Sequence, residues 1–187
     1  MKYIYILTIV SLFLVTSCSK SDGYIETKSN DSLFSLLLPP DMHKLEGLNS
    51  DAQMQYGSLD KNLTVIAIKD NINNYNELVD SIVANTPDSA NFNLAHGFIG
   101  YYSLVLFNLK DNASKFKLVE NYDTIINSLN TKFYSYNAIY DTDKSFVTLA
   151  IYQGKENYYQ IFSMTPTNKS DENINIMKKI IFSFKEQ

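Results

Sequence analysis

The spacing of hydrophobic residues in the second half of the chain predicts a series of β-strands. After Lys110, apolar residues recur at alternate positions, the period of a strand whose side chains point to opposite faces. Four segments show this pattern, over residues 116–126, 131–140, 145–153 and 157–165. The connections between them contain only three or four residues, which is short enough for antiparallel hairpins. The pattern therefore predicts a largely antiparallel sheet.

Both faces of this predicted sheet are apolar. In the segment 145–153, Val147 and Leu149 lie on one face, while Phe146 and Ala150 lie on the other. A sheet that is apolar on both sides has to be covered on both sides. We therefore expect a covering layer on each face.

Three segments carry the helical period instead, with apolar residues three and four positions apart. They span residues 72–83, 92–109 and 174–184. Gly97 and Gly100 fall inside the second segment and weaken it by about 1 kcal/mol each relative to alanine, which predicts a close packing contact there. The third segment has acidic residues in its first turn and lysines near its end, the order that the helix dipole favours.

The first half of the chain adds three strands. The first covers residues 33–38 and stops at Pro39-Pro40, because proline cannot donate a hydrogen bond to a strand ladder. The other two cover residues 51–57 and 63–68, and the short connection between them predicts a hairpin. All these elements together predict an α+β fold, an α/β/α sandwich whose antiparallel sheet is covered by helices on both faces, in a single domain over residues 33–187.

The first 17 residues have the pattern of an export signal. Lys2 precedes an apolar run, which ends in small residues and is shorter than the roughly 20 residues of a membrane span. The end of the run, Val15-Thr16-Ser17-Cys18, resembles the lipobox of bacterial lipoproteins. The resemblance implies cleavage between Ser17 and Cys18 and acylation of Cys18, and two or three acyl chains hold a protein stably at a membrane. The alternatives are an ordinary secretory signal with a chance cysteine, or a short N-terminal helix.

Residues 18–32 are polar and are predicted to be a lipidated N-terminus and tether. Tyr24 and Ile25 inside this segment form a candidate first edge strand.

Composition restricts the possible partners. Every basic residue is lysine, and the chain without residues 1–17 keeps 15 lysines against 20 acidic residues. Arginine is the preferred residue for bidentate phosphate recognition, so nucleic acid is not expected as a partner. Because no run of basic residues is present, we expect the acyl chains, rather than electrostatic attraction, to attach the protein to the membrane. Cys18 is the single cysteine, so the domain is expected to fold without disulfides or a thiolate metal site.

Few residues are candidates for catalysis or metal binding. His43 and His96 are the only histidines, no nucleophile elbow or phosphate-binding glycine loop is present, and neither a cofactor nor a metal site is expected. A triad that uses one of these histidines is not excluded by the sequence, although nothing indicates one. Asp141 and Asp143 lack the other ligands of a calcium loop and are interpreted as turn residues. We therefore expect no enzyme.

Tyrosine is abundant and has two interpretations. Tyr134, Tyr136 and Tyr140 share one face of a predicted strand, and Tyr158-Tyr159 lie on another strand. Aromatic rings with a polar tip suit a surface that binds peptide or sugar. Tyrosine is also enriched in strands for structural reasons, and this interpretation is favoured.

Several segments resemble the PsbP/Mog1-like family of α/β/α sandwiches, including the small bacterial lipoproteins that share this fold. They are the strand that ends at Pro39, the pair formed by 52–56 and 63–70, and the closing segments 158–161 and 180–184. The resemblance implies a binding or accessory role rather than catalysis. The chain is thus expected to be an envelope lipoprotein anchored by Cys18, on the outer membrane, that binds another envelope protein. The alternative is a lipoprotein that binds a small ligand or glycan on the tyrosine-rich sheet face.

Overall fold

The computed structural model describes residues 23–85 and 94–187. These residues form one seven-stranded antiparallel sheet, one small three-stranded sheet and three α-helices. The elements in chain order are β1 Ile25–Lys28, β2 Phe34–Leu38, β3 His43–Lys44, β4 Ala52–Ser58, β5 Leu63–Asn71, α1 Ile72–Asn85, α2 Gly97–Asp111, β6 Lys115–Ile126, β7 Leu129–Tyr140, β8 Asp143–Gln153, β9 Asn157–Pro166, α3 Ser170–Phe182 and β10 Lys185–Glu186.

The large sheet has the strand order β3-β4-β5-β9-β8-β7-β6. Its hairpins turn at residues that tolerate a left-handed backbone, namely Asn62, Asn127 and Asp141, whose φ angles are 49°, 50° and 54°. The antiparallel sheet and the hairpins predicted from the alternating pattern are confirmed.

One face of the large sheet, here called the α3 face, is covered by α3 and the small sheet β1-β2-β10. Its core includes Phe34, Tyr152, Tyr159 and Phe184, whose rings contact one another at centroid distances of 4.4 to 5.6 Å. The side chain of Asn173 fixes the start of α3, because its Nδ2 donates to Lys61 O and to Thr165 Oγ1, both at 2.8 Å.

The opposite face, here called the α2 face, is covered by α1 and α2. The helix α1 follows β5 directly, because the side chain of Asn71 accepts hydrogen bonds from the N–H groups of Asn73 and Asn74 and so caps the helix. Val147, Leu149 and Ile151 of β8 lie in the core of this face, while Phe146, Ala150 and Tyr152 lie in the core of the other. The two-sided sheet expected from the sequence is confirmed.

Two helix boundaries differ from the predictions. The second helix begins at Gly97 rather than at residue 92, because Gly97 has φ of 80° and so breaks the helical path, and Ala95 precedes the helix. The close contact predicted at the glycines lies at Gly100, where an added Cβ would lie 1.6 Å from Ala95 O. Phe184 is buried but follows α3 instead of belonging to it.

The segment 18–32, predicted to be a polar tether, is partly structured. Residues 25–28 form β1, which pairs with β2 along its length, so the edge-strand interpretation holds for these residues. The backbone of β2 supplies the hydrogen-bonding partner for this polar strand. Within the described ranges, no helix combines the length and the apolar character that crossing a membrane requires.

Candidate binding site

Cys18 and the predicted signal peptide, residues 1–17, lie outside the described residues. Lipidation of Cys18 and cleavage after Ser17 therefore stay predictions. The first described residue, Gly23, lies two positions before β1.

The two histidines do not meet. His43 lies in the short edge strand β3 and is exposed, whereas His96 directly precedes α2. The Nε2 atom of His96 lies 2.8 Å from the carboxylate of Asp80 on α1, and both side chains are more than half exposed. These positions are on different elements, so the described residues do not bring the two histidines into one site.

Asp141 and Asp143 lie in the β7–β8 hairpin, as the turn interpretation predicts. Across the described ranges, no three His, Cys, Asp or Glu side chains are grouped closely enough to hold a metal ion. The two aspartates are exposed and shape the connection between the strands.

The tyrosine-rich face is largely interior. Tyr134 and Tyr136 are almost fully buried beneath α2, and burial raises the pKa of both phenols. The structural interpretation of these two tyrosines therefore describes them better than an open stacking surface. The reason is α2 itself, which lies over β7 and removes the rings from solvent. Tyr140, at the end of β7, remains partly accessible and shares a hydrogen bond with Tyr136.

A polar cluster lies beneath the N-terminal half of α2. The Tyr101 hydroxyl donates to the Asp70 carboxylate, and Gln160 Nε2 donates to the same carboxylate at 3.0 Å and to the Tyr101 oxygen at 2.8 Å. Burial and the adjacent carboxylate both raise the pKa of Tyr101, which keeps its proton on the phenol. The ring of Tyr101 also stacks on Tyr158 at a centroid distance of 4.2 Å. These contacts lock α2 to the sheet, so the cluster positions the helix.

A large cavity lies beside this cluster and is here called the α2–β9 pocket. It has a volume of about 610 Å³ and opens between the C-terminal half of α2 and strands β5, β7 and β9. The floor of the pocket is apolar and consists of Ile66, Ile68, Val105, Leu109, Tyr136, Phe162 and Met164. Its rim is polar and consists of Asn49, Asp51, Asn108, Asn112, Tyr140 and Gln160.

The chemistry of this pocket suits a neutral ligand with an apolar side. Asp51 is the one charged residue among the described residues that line it, and the rest of the rim consists of amides and phenols. Such groups donate and accept hydrogen bonds without attracting an anion. The pocket therefore has groups for holding and orienting a ligand, and its described lining includes no histidine to act as a base near neutral pH.

A second feature, here called the α2–β6 groove, runs along the other side of α2. Two cavities of about 410 and 300 Å³ adjoin at Tyr102 and lie between the helix and strands β6 and β7. Four large apolar side chains line this groove and remain exposed, namely Ile99 at 68%, Phe107 at 48%, Leu118 at 37% and Ile125 at 71%.

Neither the pocket nor the groove was predicted from the sequence. The apolar spacing that predicts the second helix includes Ile99, Tyr102 and Leu106, whereas the residues that α2 buries are Gly100, Tyr101 and Val105. The predicted covering face was therefore wrong at Ile99, which is exposed, and the pattern did not show how much of the sheet one helix leaves uncovered. Ile99 belongs to the helical pattern of the second segment and Ile125 lies within the predicted strand 116–126, so the sequence marked neither position as exposed. Exposed apolar side chains that are contiguous in space often mark a site of interaction.

No protein-family model matches the chain, and no curated protein matches it. Solved structures do match. The solution structure of CyanoP, the cyanobacterial PsbP of a Synechocystis species, superposes with a TM-score of 0.58 and 9% identity over 92% of this chain and 99% of that one. The Ran-binding protein Mog1p of Saccharomyces cerevisiae superposes with a TM-score of 0.53 and 8% identity over 87% of this chain and 95% of that one.

A third structure, LpqN, is described as involved in cell envelope biogenesis of Mycobacterium tuberculosis. It superposes with a TM-score of 0.49 and 12% identity over 86% of this chain and 88% of that one. The likeness to CyanoP and Mog1p shows the fold, and the predicted PsbP/Mog1-like fold is confirmed.

Proposed function

We propose that this chain is a lipid-anchored, non-enzymatic binding protein of the bacterial cell envelope, which holds a segment of another envelope protein in the α2–β6 groove. The anchor is Cys18, acylated after cleavage between Ser17 and Cys18. The outer membrane is the proposed location.

The observation that carries the proposal is the exposure of the groove. Ile99 and Ile125 are each about two-thirds exposed although they belong to a regular helix and a regular strand. Burying large apolar side chains of this kind on binding stabilises a complex by roughly 25 cal/mol per Å² of apolar surface. A partner that fills the groove removes both side chains from water.

The edge strand β6 defines the shape of the partner. Among the described strands, none pairs with the outer edge of β6, whereas its inner edge pairs with β7 along its length. An extended segment can add to such an edge by main-chain hydrogen bonds and place alternate side chains on the groove face. Lys115 and Lys117 occupy the start of the edge, and charges without an ion-pair partner among the described residues discourage pairing there. Glu120 and Asp123 farther along the edge are instead paired with Lys178 and Lys132. The partner is therefore an extended segment with alternating apolar residues that pairs along residues 120–126.

The test uses charge substitutions at the two most exposed groove positions. Ile99→Lys and Ile125→Lys are each expressed as the tagged, lipidated protein and purified from membranes. Both should lose the partner that co-purifies with the unmodified protein, by tenfold or more if one buried side chain is replaced by a charge, on the order of 1.4 kcal/mol.

The control is Leu59→Lys, because Leu59 is 93% exposed in the β4–β5 turn and lies outside the groove. It should retain the partner at the unmodified level. Equal loss from all three variants, or retention by all three, would contradict docking in the groove.

The α2–β9 pocket favours a second candidate function, the binding of a small neutral ligand or glycan. Its amide and phenol rim, with an apolar floor, is the observation that supports this alternative. Saturable binding on a glycan array that Tyr140→Ala and Asn108→Ala both weaken, together with no partner in the pull-down, would favour this function over the first.

A further inference from the structure

Three lysines from two strands meet on the α3 face of the sheet. Lys115 of β6 and Lys144 of β8 both pair with Ile139 of β7, from opposite sides. Lys117 pairs with Asn137, two residues before Ile139 on the same face. Residues paired across antiparallel strands have Cβ atoms about 5 Å apart, so the three side chains form one cluster around Ile139. All three lysines are exposed, and they line a depression of about 520 Å³.

The charges of this lysine cluster are not neutralised within the described part of the chain. Five other lysines form ion pairs with carboxylates, namely Lys61, Lys69, Lys132, Lys169 and Lys178. The three cluster lysines form none there, and no acidic residue among those described lines their depression. The acidic residues nearest in sequence are Glu120, Asp141 and Asp143. Glu120 is on the same face but forms an ion pair with Lys178. Asp141 and Asp143 lie in the adjoining turn, and Asp143 pairs with Tyr140, whose position is on the opposite face from Ile139.

One polar atom in the same depression also lacks a partner. The Oδ1 atom of Asn137 is buried and accepts no hydrogen bond from the described residues. An unpaired buried acceptor costs free energy, and a hydroxyl donor that reaches the depression would satisfy it. The depression thus combines ammonium groups for an anion with an acceptor for a hydroxyl.

The cluster lies at the end of the molecule from which the N-terminal chain departs. The register aligns Thr64, Met164, Val147, Tyr136 and Leu118 in one row across the sheet. Both the β4–β5 turn and the three lysines lie beyond this row on the same side. The start of β1 is at this end too, because Ile25 pairs with Leu38 and the next turn brings Asp41 into contact with Ser58 and Lys61.

The distance to the proposed anchor is short. Five Cα steps separate Cys18 from Gly23, so this part of the chain spans at most about 18 Å even when fully extended. An acylated Cys18 therefore keeps this end of the domain close to the headgroups of the bilayer.

We infer that Lys115, Lys117 and Lys144 dock on anionic phospholipid headgroups of the membrane that holds the anchor, an inference that rests on the proposed lipidation of Cys18. Docking there sets the orientation of the domain. The helix α2 ends near the cluster, since Ser114 N donates to Ile139 O at 2.9 Å, and it runs away from the membrane toward Gly97. The α2–β6 groove then stands upright on the bilayer, with Ile99 and Ile125 at its far end.

The experiment measures this orientation in the full-length lipidated protein reconstituted in vesicles. Acylation blocks Cys18, the only natural cysteine, so one introduced cysteine carries a single fluorophore. Thr142→Cys reports the β7–β8 turn beside the cluster, and Ser128→Cys reports the β6–β7 turn at the opposite end. Quenching by headgroup-labelled lipid is compared between phosphatidylcholine vesicles and vesicles containing about one-third phosphatidylglycerol.

We expect anionic lipid to increase the quenching of the fluorophore introduced through Thr142→Cys but not of the one introduced through Ser128→Cys, and high salt to reverse the increase. The variant with Lys115→Gln, Lys117→Gln and Lys144→Gln should return quenching to the level in phosphatidylcholine. If each lysine contributes about a fivefold factor near an anionic surface, the ratio of docked to undocked protein falls by on the order of a hundredfold.

The matched control removes the same charge elsewhere, through Lys28→Gln, Lys155→Gln and Lys185→Gln, and should leave quenching unchanged. Equal loss in both triple variants, or no response to anionic lipid, overturns the inference. A protein that floats with vesicles but shows no lipid response refutes the docking while the anchor stands. A protein that fails to float with vesicles refutes the anchor, and with it the docking. If a soluble acidic peptide competes while anionic vesicles have no effect, the cluster serves a protein partner and the docking on lipid is refuted.

Discussion

The two faces of the large sheet have similar apolar strands beneath them but very different covers. On the α3 face, α3 and the small sheet close over a continuous aromatic core in which Tyr152 donates to Ile181 O at 2.5 Å. On the α2 face, α2 is locked by Asp70, Tyr101 and Gln160, yet it leaves an open cavity on each side. The difference indicates that the α3 face supplies stability, while the α2 face combines a fixed helix with accessible apolar surface, which the proposed binding role requires.

The largest expected difference between the two faces is in the free energy of unfolding that is lost when a phenylalanine on each face is replaced by alanine. Phe184 is fully buried and contacts three aromatic rings of the α3 face, so Phe184→Ala should lower the free energy of unfolding by about 3–5 kcal/mol. Phe98 is only partly buried at the edge of α2, so Phe98→Ala should cost roughly half as much or less. Urea denaturation of both variants measures the difference. Equal losses would contradict the division between the faces.

A smaller effect is expected where α2 is held most tightly. Gly100→Ala places a Cβ 1.6 Å from Ala95 O and 3.0 Å from the Tyr75 hydroxyl, which itself donates to Ala95 O at 2.8 Å. The backbone must move, at an expected cost of about 1–3 kcal/mol in the free energy of unfolding. Ser103→Ala, at an exposed position of the same helix, serves as the control and should cost less than about 0.5 kcal/mol. An unchanged melting temperature for Gly100→Ala would show that α2 is not fixed there.

The smallest expected effect on the free energy of unfolding at neutral pH comes from replacing buried tyrosines, and it is shared by both faces. Burial raises the pKa of Tyr101 on the α2 face and of Tyr152 on the α3 face above the usual 10.0. Because the folded-state pKa is the higher one, the stability contributed is complete below pH 10 and is lost as the unfolded chain ionises above it. Each such tyrosine should steepen the loss by up to about 1.4 kcal/mol per pH unit.

Denaturation measured from neutral pH to beyond about pH 11 tests this alkaline loss, with Tyr101→Phe and Tyr152→Phe each making it shallower. Tyr56 lies on β4 and is only partly buried, so Tyr56→Phe serves as the control and should change the slope less than either of the other two variants. A slope that neither Tyr101→Phe nor Tyr152→Phe alters would contradict the assignment of these phenols to the interior.

The long elements of the fold were predictable from the sequence because each repeats its period several times. Strands β4 to β9 and the helices α1 and α3 follow from alternation or from the helical spacing. The two-residue strands β3 and β10 were not predictable, since a period cannot be recognised in two residues. The polar strand β1 depends on pairing with β2, which is tertiary information.

The candidate sites were less predictable for a related reason. Tyr136 was identified as part of a shared tyrosine face, but its burial depends on where α2 lies. Lys115, Lys117 and Lys144 form no basic run in the sequence, and only the register of three strands brings them together around Ile139. Local patterns predict elements, whereas a surface cluster depends on which residues the pairing places side by side.

The most direct test of the account is site-specific photocrosslinking from the two faces in intact membranes. A photoreactive phenylalanine replaces Ile99 or Ile125 in the α2–β6 groove, and replaces the exposed Asn175 on α3 as the comparison. We expect both groove positions to crosslink to the same envelope protein and the position on α3 not to do so. Crosslinking from Asn175 at equal strength, or from neither groove position, would contradict the claim that the α2 face is the binding face.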